Sequence, residues 1–125
     1  VSIEIRDFIT AAEHCKAMDN ELGYRTCVSR AYYAMYHEAL SFVGKDLPSF
    51  EGVGVHKKLV EYLLNPPPEM KNKQLRSKHK RAARILGMWK NKRVCADYEL
   101  DSAVQPGDAD DSLEAYKQLL NILES

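Results

Sequence analysis

The chain has 125 residues, 45% apolar and 29% charged, and its 18 Lys/Arg are matched by 18 Asp/Glu. That is the size and mixture of one globular domain, long enough to bury a core without staples. Cys15, Cys27 and Cys95 are too few and too scattered for a disulfide framework and read as reduced thiols. His14, His37, His56 and His79 form no ligand-spaced pair, so neither zinc nor another cofactor is expected.

Apolar residues Ile5, Phe8, Ile9, Ala12, Cys15, Met18 and Leu22 recur at three- and four-residue steps. They predict an amphipathic first helix, with Ser2 as its N-cap and Asn20 to Gly23 as its exit. The second helix is predicted from about Tyr24 to Val43, with Gly44 at the C′ position, where positive φ costs glycine nothing. Leu47 to Gly54, with Pro48, Gly52 and Gly54, reads as a loop. A third helix runs from about Val55 to Leu64, burying Leu59, Val60, Leu63 and Leu64. It stops at Asn65-Pro66-Pro67-Pro68, because prolines remove donors and push their predecessors out of the α region.

The fourth helix is predicted from about Glu69 to Val94, with Leu75, Ala82, Ala83, Leu86 and Trp89 turned inward and an irregular stretch from Ala96 to Val104 after it. Pro106-Gly107-Asp108 opens the last helix, with Asp108 as cap and Asp110, Asp111 and Glu114 in or near the first turn. Those charges complement the helix dipole. Leu113, Tyr116, Leu119, Leu120 and Leu123 form its apolar face. No repeat and no strand-length alternation interrupts this pattern, so residues 1–125 are expected to be a single all-α domain, a four-to-five-helix bundle.

No apolar run approaches the roughly 20 residues that span a bilayer. Val1 to Asp7 carries Glu4 and Asp7 and does not resemble a signal peptide, so a cytoplasmic location is expected. The chain starts without methionine, as a part of a longer protein does.

Net charge is zero, but its distribution is polarised. From Lys71 to Arg93 there are ten Lys/Arg and no Asp or Glu, which leaves eight cations and all 18 acids for the rest. Arg84, Lys90, Lys92 and Arg93 belong to this basic helix. Such a surface suits an acidic partner, either RNA or an acidic protein. Trp89 is positioned either to stack on a base or to fill the core.

Ser29-Arg30-Ala31-Tyr32-Tyr33-Ala34-Met35-Tyr36-His37 is the most informative stretch. At about 100° per residue, Arg30 and His37 lie on one helix face, with Tyr33 and Ala34 between them. A guanidinium fork matches a phosphate, and an imidazole exchanges protons near neutral pH. Cleaving RNA without metal needs a base for the ribose 2′-OH and a cation for the charge growing on phosphorus. The rival reading pairs Arg30 with an acid such as Glu38 or Asp19 and leaves His37 at a core contact. Arg93 and Asp97, four apart, likewise fit an ordinary ion pair near a helix end.

Together, Ser29 to Leu40, the Gly54-Val55-His56 helix start, Arg93-x-x-Ala96-Asp97-Tyr98 and the acidic-capped last helix resemble the HEPN family of small bacterial and archaeal helical proteins. The resemblance covers most of the chain, in order. It implies a bundle that dimerises about a two-fold axis. It also implies a metal-independent endoribonuclease, often a toxin of toxin–antitoxin or phage-defence systems, with a minimal nucleotidyltransferase antitoxin as partner. The family hallmark is an Arg and a later His with four to six residues between them. After Arg93 those places hold Tyr98, Glu99 and Leu100; Arg30 and His37, with six residues between them, carry the pattern instead. On this resemblance Arg30 clamps the phosphate and His37 is the base. Arg84, Lys90, Lys92, Arg93 and Asp97 face the RNA, and Tyr33 and Tyr98 line the cleft. The alternative it leaves open is a non-catalytic module that binds a nucleotide or a nucleotidyltransferase.

Overall fold

The computed structural model describes residues 2–44 and 54–125, so the predicted loop from Leu47 to Val53 lies outside the described residues. Among these residues there are five helices and no strand: α1 (Ile5–Lys16), α2 (Glu21–Val43), α3 (Val55–Leu64), α4 (Lys73–Tyr98) and α5 (Pro106–Glu124). The expected all-α bundle is what forms.

Helix α2 runs through the middle and packs against α1, α4 and α5, while α3 lies on α4. Its composition explains that position. Cys27, Ala31, Ala34 and Ala39 are small enough for neighbours to approach closely, and Val28, Tyr32 and Met35 fill the space between; all seven are buried. From α3, α4 and α5 come Leu59, Leu63, Leu86, Trp89 and Leu119. Trp89 is 4% exposed. It is core, which removes it as a stacking platform for a base.

Several boundaries move, each for a local reason. The cap of α1 is Glu4 rather than Ser2, because Asp7 returns a bond to the Glu4 N–H at 2.8 Å and completes a capping box. With α1 ending at Lys16, Met18 and Leu22 fall beyond its buried face and are exposed. Helix α2 begins at Glu21, since Asn20 Oδ1 accepts from the Gly23 N–H at 2.8 Å. Its C-cap, Gly44, takes φ +61°. Of the four apolar residues expected on the buried side of α3, Leu59 and Leu63 are buried, Val60 is half-buried and Leu64 is exposed. In α5, Asp108 is the third helical residue rather than the cap. Gln105 caps, and its N–H donates to Asp108 at 2.8 Å.

Helix α4 starts at Lys73, with Asn72 Oδ1 accepting from the Leu75 N–H at 3.1 Å, and runs four residues past the predicted end, to Tyr98. Ala96, Asp97 and Tyr98 are therefore helical, not irregular. The extension comes from Arg25 on α2, which donates to the carbonyls of Cys95, Ala96 and Glu99. Of these, the Ala96 carbonyl has no other donor among the described residues, whereas those of Cys95 and Glu99 also accept from the Glu99 and Ser102 N–H groups.

The α1–α2 corner is tight at Gly23. A Cβ there would run into the carbonyl oxygen of Cys15 and sit 3.0 Å from Met18 Cβ. Backbone cannot give way as a side chain can. Gly23→Ala is expected to cost about 2 kcal/mol by overpacking, read as a fall in thermal midpoint.

Candidate functional site

Three elements meet at the candidate site. The middle of α2 contributes Ser29, Arg30, Tyr32, Tyr33, Tyr36 and His37; the last turns of α4 contribute Arg93 and Asp97; the first turn of α3 contributes His56.

Arg93 is only 8% exposed. Its guanidinium carbon lies 5.5 Å from the Tyr32 ring centroid and 5.6 Å from that of Tyr33. The Arg30 guanidinium carbon lies 4.9 Å from the same Tyr33 ring. Two permanent cations thus share one tyrosine, an arrangement supported by the negative ring face. One carboxylate answers them. Asp97 Oδ2 is 3.6 Å from Arg93 Nη1 and accepts from Ser29 Oγ at 3.1 Å; Ser29 Oγ in turn accepts from Arg30 Nη2 at 3.3 Å. So the Arg93/Asp97 ion pair forms, but it is long. Arg93 Nε is buried with no acceptor among the described residues.

Neither acid proposed as a neutral explanation for Arg30 serves it. Asp19 accepts from the Tyr24 hydroxyl, and Glu38 accepts from Tyr116 at 2.9 Å. Among the described residues no carboxylate stands within ion-pair range of Arg30.

His37 is half-buried, with its ring near-parallel to Phe8 at 5.2 Å and edge-on to Tyr36 at 5.2 Å. Neither ring nitrogen has a hydrogen-bond partner among the described residues. Phe8 also reaches Tyr33, at 6.5 Å, so Arg30, Tyr33, Phe8 and His37 form a continuous line along one face. Arg30 and His37 themselves do not touch.

His56 is what sequence reasoning missed. Its ring centroid is 5.5 Å from Tyr32, 5.9 Å from Tyr33 and 4.3 Å from Tyr36, and its Nδ1 is 2.8 Å from the Tyr32 hydroxyl. Burial lowers its pKa, and the positive charges of Arg93, Lys90 and His37 lower it further. Burial raises the Tyr32 phenol, which stays protonated. In the sequence His56 is one of four isolated histidines, and only the fold brings α3 against this face.

The other expected contacts divide. Lys90 acts on His56 through its charge. Lys92 turns to Trp89, its Nζ 4.9 Å from that ring, beside an apolar cavity of about 290 Å³ bordered by Val28, Cys95 and Val104. Arg84 sits farther up α4, in a shallow groove of about 260 Å³ with Lys73, Arg76, Lys80 and Arg81. Tyr98 is 71% exposed. Thus Arg30, Tyr33, Arg93 and Asp97 come together, with His37 and Lys90 adjacent, whereas Arg84, Lys92 and Tyr98 are not brought to the cluster. Among the described residues, none of the basic residues from Lys71 to Lys92 is ion-paired.

Compared with protein-family models, with curated proteins and with solved structures, the chain matches none. No three His, Cys, Asp or Glu side chains converge as a metal set among the described residues. No helix of the structure is long and apolar enough to cross a membrane, within the same residues.

Proposed function

We propose that this chain is an RNA-directed protein of the HEPN kind, a metal-independent endoribonuclease that works as a homodimer. A nucleotidyltransferase-type antitoxin is its natural protein partner on this reading. The observation that carries it is the excess positive charge on an aromatic platform: Arg30 and Arg93 both lie against Tyr33, and among the described residues Asp97 alone opposes them. RNA brings the two complements of such a surface, a phosphate for the guanidinium and a base for the ring. The cations of α4 before Arg93, which have no side-chain carboxylate partner among the described residues, extend the same charge along a helix about 39 Å long.

In the reaction, His37 takes the proton of a ribose 2′-OH and Arg30 neutralises the charge that builds on the phosphorane. The 2′-oxygen forms a bond to phosphorus while the bond from phosphorus to the 5′-oxygen breaks. The departing oxygen takes a proton from water, leaving a 2′,3′-cyclic phosphate and a 5′-hydroxyl.

The test is incubation of the purified protein with total RNA in excess EDTA, followed by analysis of the new ends. Fragments ending in 2′,3′-cyclic phosphate are expected. RNA that is bound but left intact overturns the nuclease and leaves the binding-only module in its place.

A further inference from the structure

The hydrogen-bonding state of His56 follows from its surroundings. Tyr32 is fully buried, and the partner of its hydroxyl among the described residues is His56 Nδ1. A buried phenol that only accepted would leave its own hydrogen without an acceptor, which is costly. The phenol therefore donates, Nδ1 accepts, and the neutral ring carries its hydrogen on Nε2. Among the described residues, everything facing the imidazole keeps it neutral. Burial and the charges of Arg93, Lys90 and His37 oppose protonation, and Tyr32, Tyr33 and Tyr36 supply rings but no carboxylate. Its place in the first turn of α3 adds the positive end of a helix dipole.

Two donors are left without acceptors. No described residue accepts from His56 Nε2–H, and none accepts from the buried Nε–H of Arg93, a side chain about nine-tenths buried. Both belong to one junction of α2, α3 and α4, because Arg93 and His56 each pack on Tyr32 and Tyr33. Of the two, the Arg93 Nε–H is sealed from solvent, whereas the His56 Nε2–H is not; a free N–H open to solvent near a guanidinium suits an oxyanion.

We propose that His56, through Nε2–H, and the Arg93 guanidinium together hold a non-bridging phosphate oxygen of a bound RNA strand, with Tyr32 as the positioning residue that fixes the tautomer. The identity of the anion rests on the RNA reading above. The donor pair is separate from the cleavage step, and His56 is a hydrogen-bond donor here rather than a second base.

Two measurements test this. In the ¹⁵N-labelled protein, two-bond proton–nitrogen spectra at neutral pH are expected to show His56 neutral, with its hydrogen on Nε2. The Nδ1–H tautomer, or an imidazolium, overturns the proposal. Binding is then followed by anisotropy with a short 2′-O-methyl oligouridylate, which cannot be cleaved through the 2′ position. His56→Ala is expected to weaken its affinity about 10-fold, and His56→Gln, which keeps an N–H donor, to stay within about threefold of the parent. In Tyr32→Phe the imidazole loses the hydrogen bond that holds it neutral. As the pH falls from about 8 to about 6, this variant is expected to tighten about threefold more than the parent, the His37 contribution being common to both. Equal affinity for His56→Ala and the parent, or no binding by the parent at about millimolar protein, overturns the donor pair. Cleavage of ordinary RNA without any effect of His56 on binding leaves the nuclease standing and removes the donor pair. His56-dependent binding without cleavage does the reverse.

Discussion

Replacing His37 with alanine is expected to slow RNA cleavage by about 100-fold or more, the usual worth of a positioned general base. The measurement is single-turnover cleavage of a labelled RNA in EDTA. Folding is a small concern, because His37 is half-buried at an aromatic contact and makes no hydrogen bond among the described residues. The same geometry makes it the better base of the two histidines near the site. His56 has Nδ1 occupied by Tyr32 and its proton on the other nitrogen, whereas both nitrogens of His37 are unengaged among the described residues. Arg30→Ala is expected to be comparably damaging, since a donor aimed at transition-state charge is worth about 100- to 1,000-fold. Arg30→Lys is expected to rescue little: an ammonium keeps the charge but not the planar fork. The double variant should be no worse than about the larger single loss, because residues acting as a unit are not additive. Cleavage by His37→Ala at the parent rate ends this assignment of roles.

How much of this was legible in the sequence depends on how far apart the causes lie. Periodicity found all five helices, because the stripe of a helix is written within its own residues. Gly44 was equally local: its positive φ is its own property. Caps were less secure. Ser2 and Asp108 are good capping residues by type, yet Glu4 with Asp7 and Gln105 with Asp108 form reciprocal pairs that outcompete a single hydroxyl or carboxylate.

The candidate site shows the same division. Arg30, Tyr33 and His37 share a face because they share a helix, so their alignment could be read from spacing. Asp97 joins them only because α4 runs on to Tyr98, and that extension depends on Arg25, some seventy positions earlier. His56 reaches the cluster only because α3 packs beside it. Nothing in Gly54-Val55-His56 announces three tyrosine rings. The charge run of α4 was visible as composition, but which cations face the site was not. Lys90 points its charge at His56, whereas Lys92, two residues on and roughly 200° around the helix, covers Trp89.

Arg25→Met is expected to be the most destabilising single change in the bundle, by about 3 kcal/mol, or a fall of roughly 10 °C in thermal midpoint for a chain of this size. Arg25 is 6% exposed, and its Nη1 donates to the carbonyls of Cys95, Ala96 and Glu99 at 3.2, 2.9 and 3.2 Å. Nη2 reaches Leu100 at 3.4 Å and also Ser102. Replacing a buried ion pair by apolar groups can be neutral when both partners go. Here the partners are backbone carbonyls, which no substitution removes, so methionine fills the space and takes the guanidinium donor from Ala96, Leu100 and Ser102, while Cys95 and Glu99 keep the N–H groups of Glu99 and Ser102. Arg25→Lys should recover less than about half of the loss, since one ammonium has three donors for a set spread over two nitrogens. Glu21→Gln is the control. It removes the carboxylate 3.1 Å from Arg25 Nε, but that group is half-exposed, so about 0.5 kcal/mol is expected. The loss should also be local before it is global: amides of the last turn of α4 should exchange faster in Arg25→Met than those around Leu86. Asp97 stands on that turn and Arg93 on the one before it, so RNA binding should weaken in step with its fraying, at temperatures where the rest of the bundle is intact. A thermal midpoint for Arg25→Met within about 2 °C of the parent would show that the end of α4 is held by packing rather than by this guanidinium.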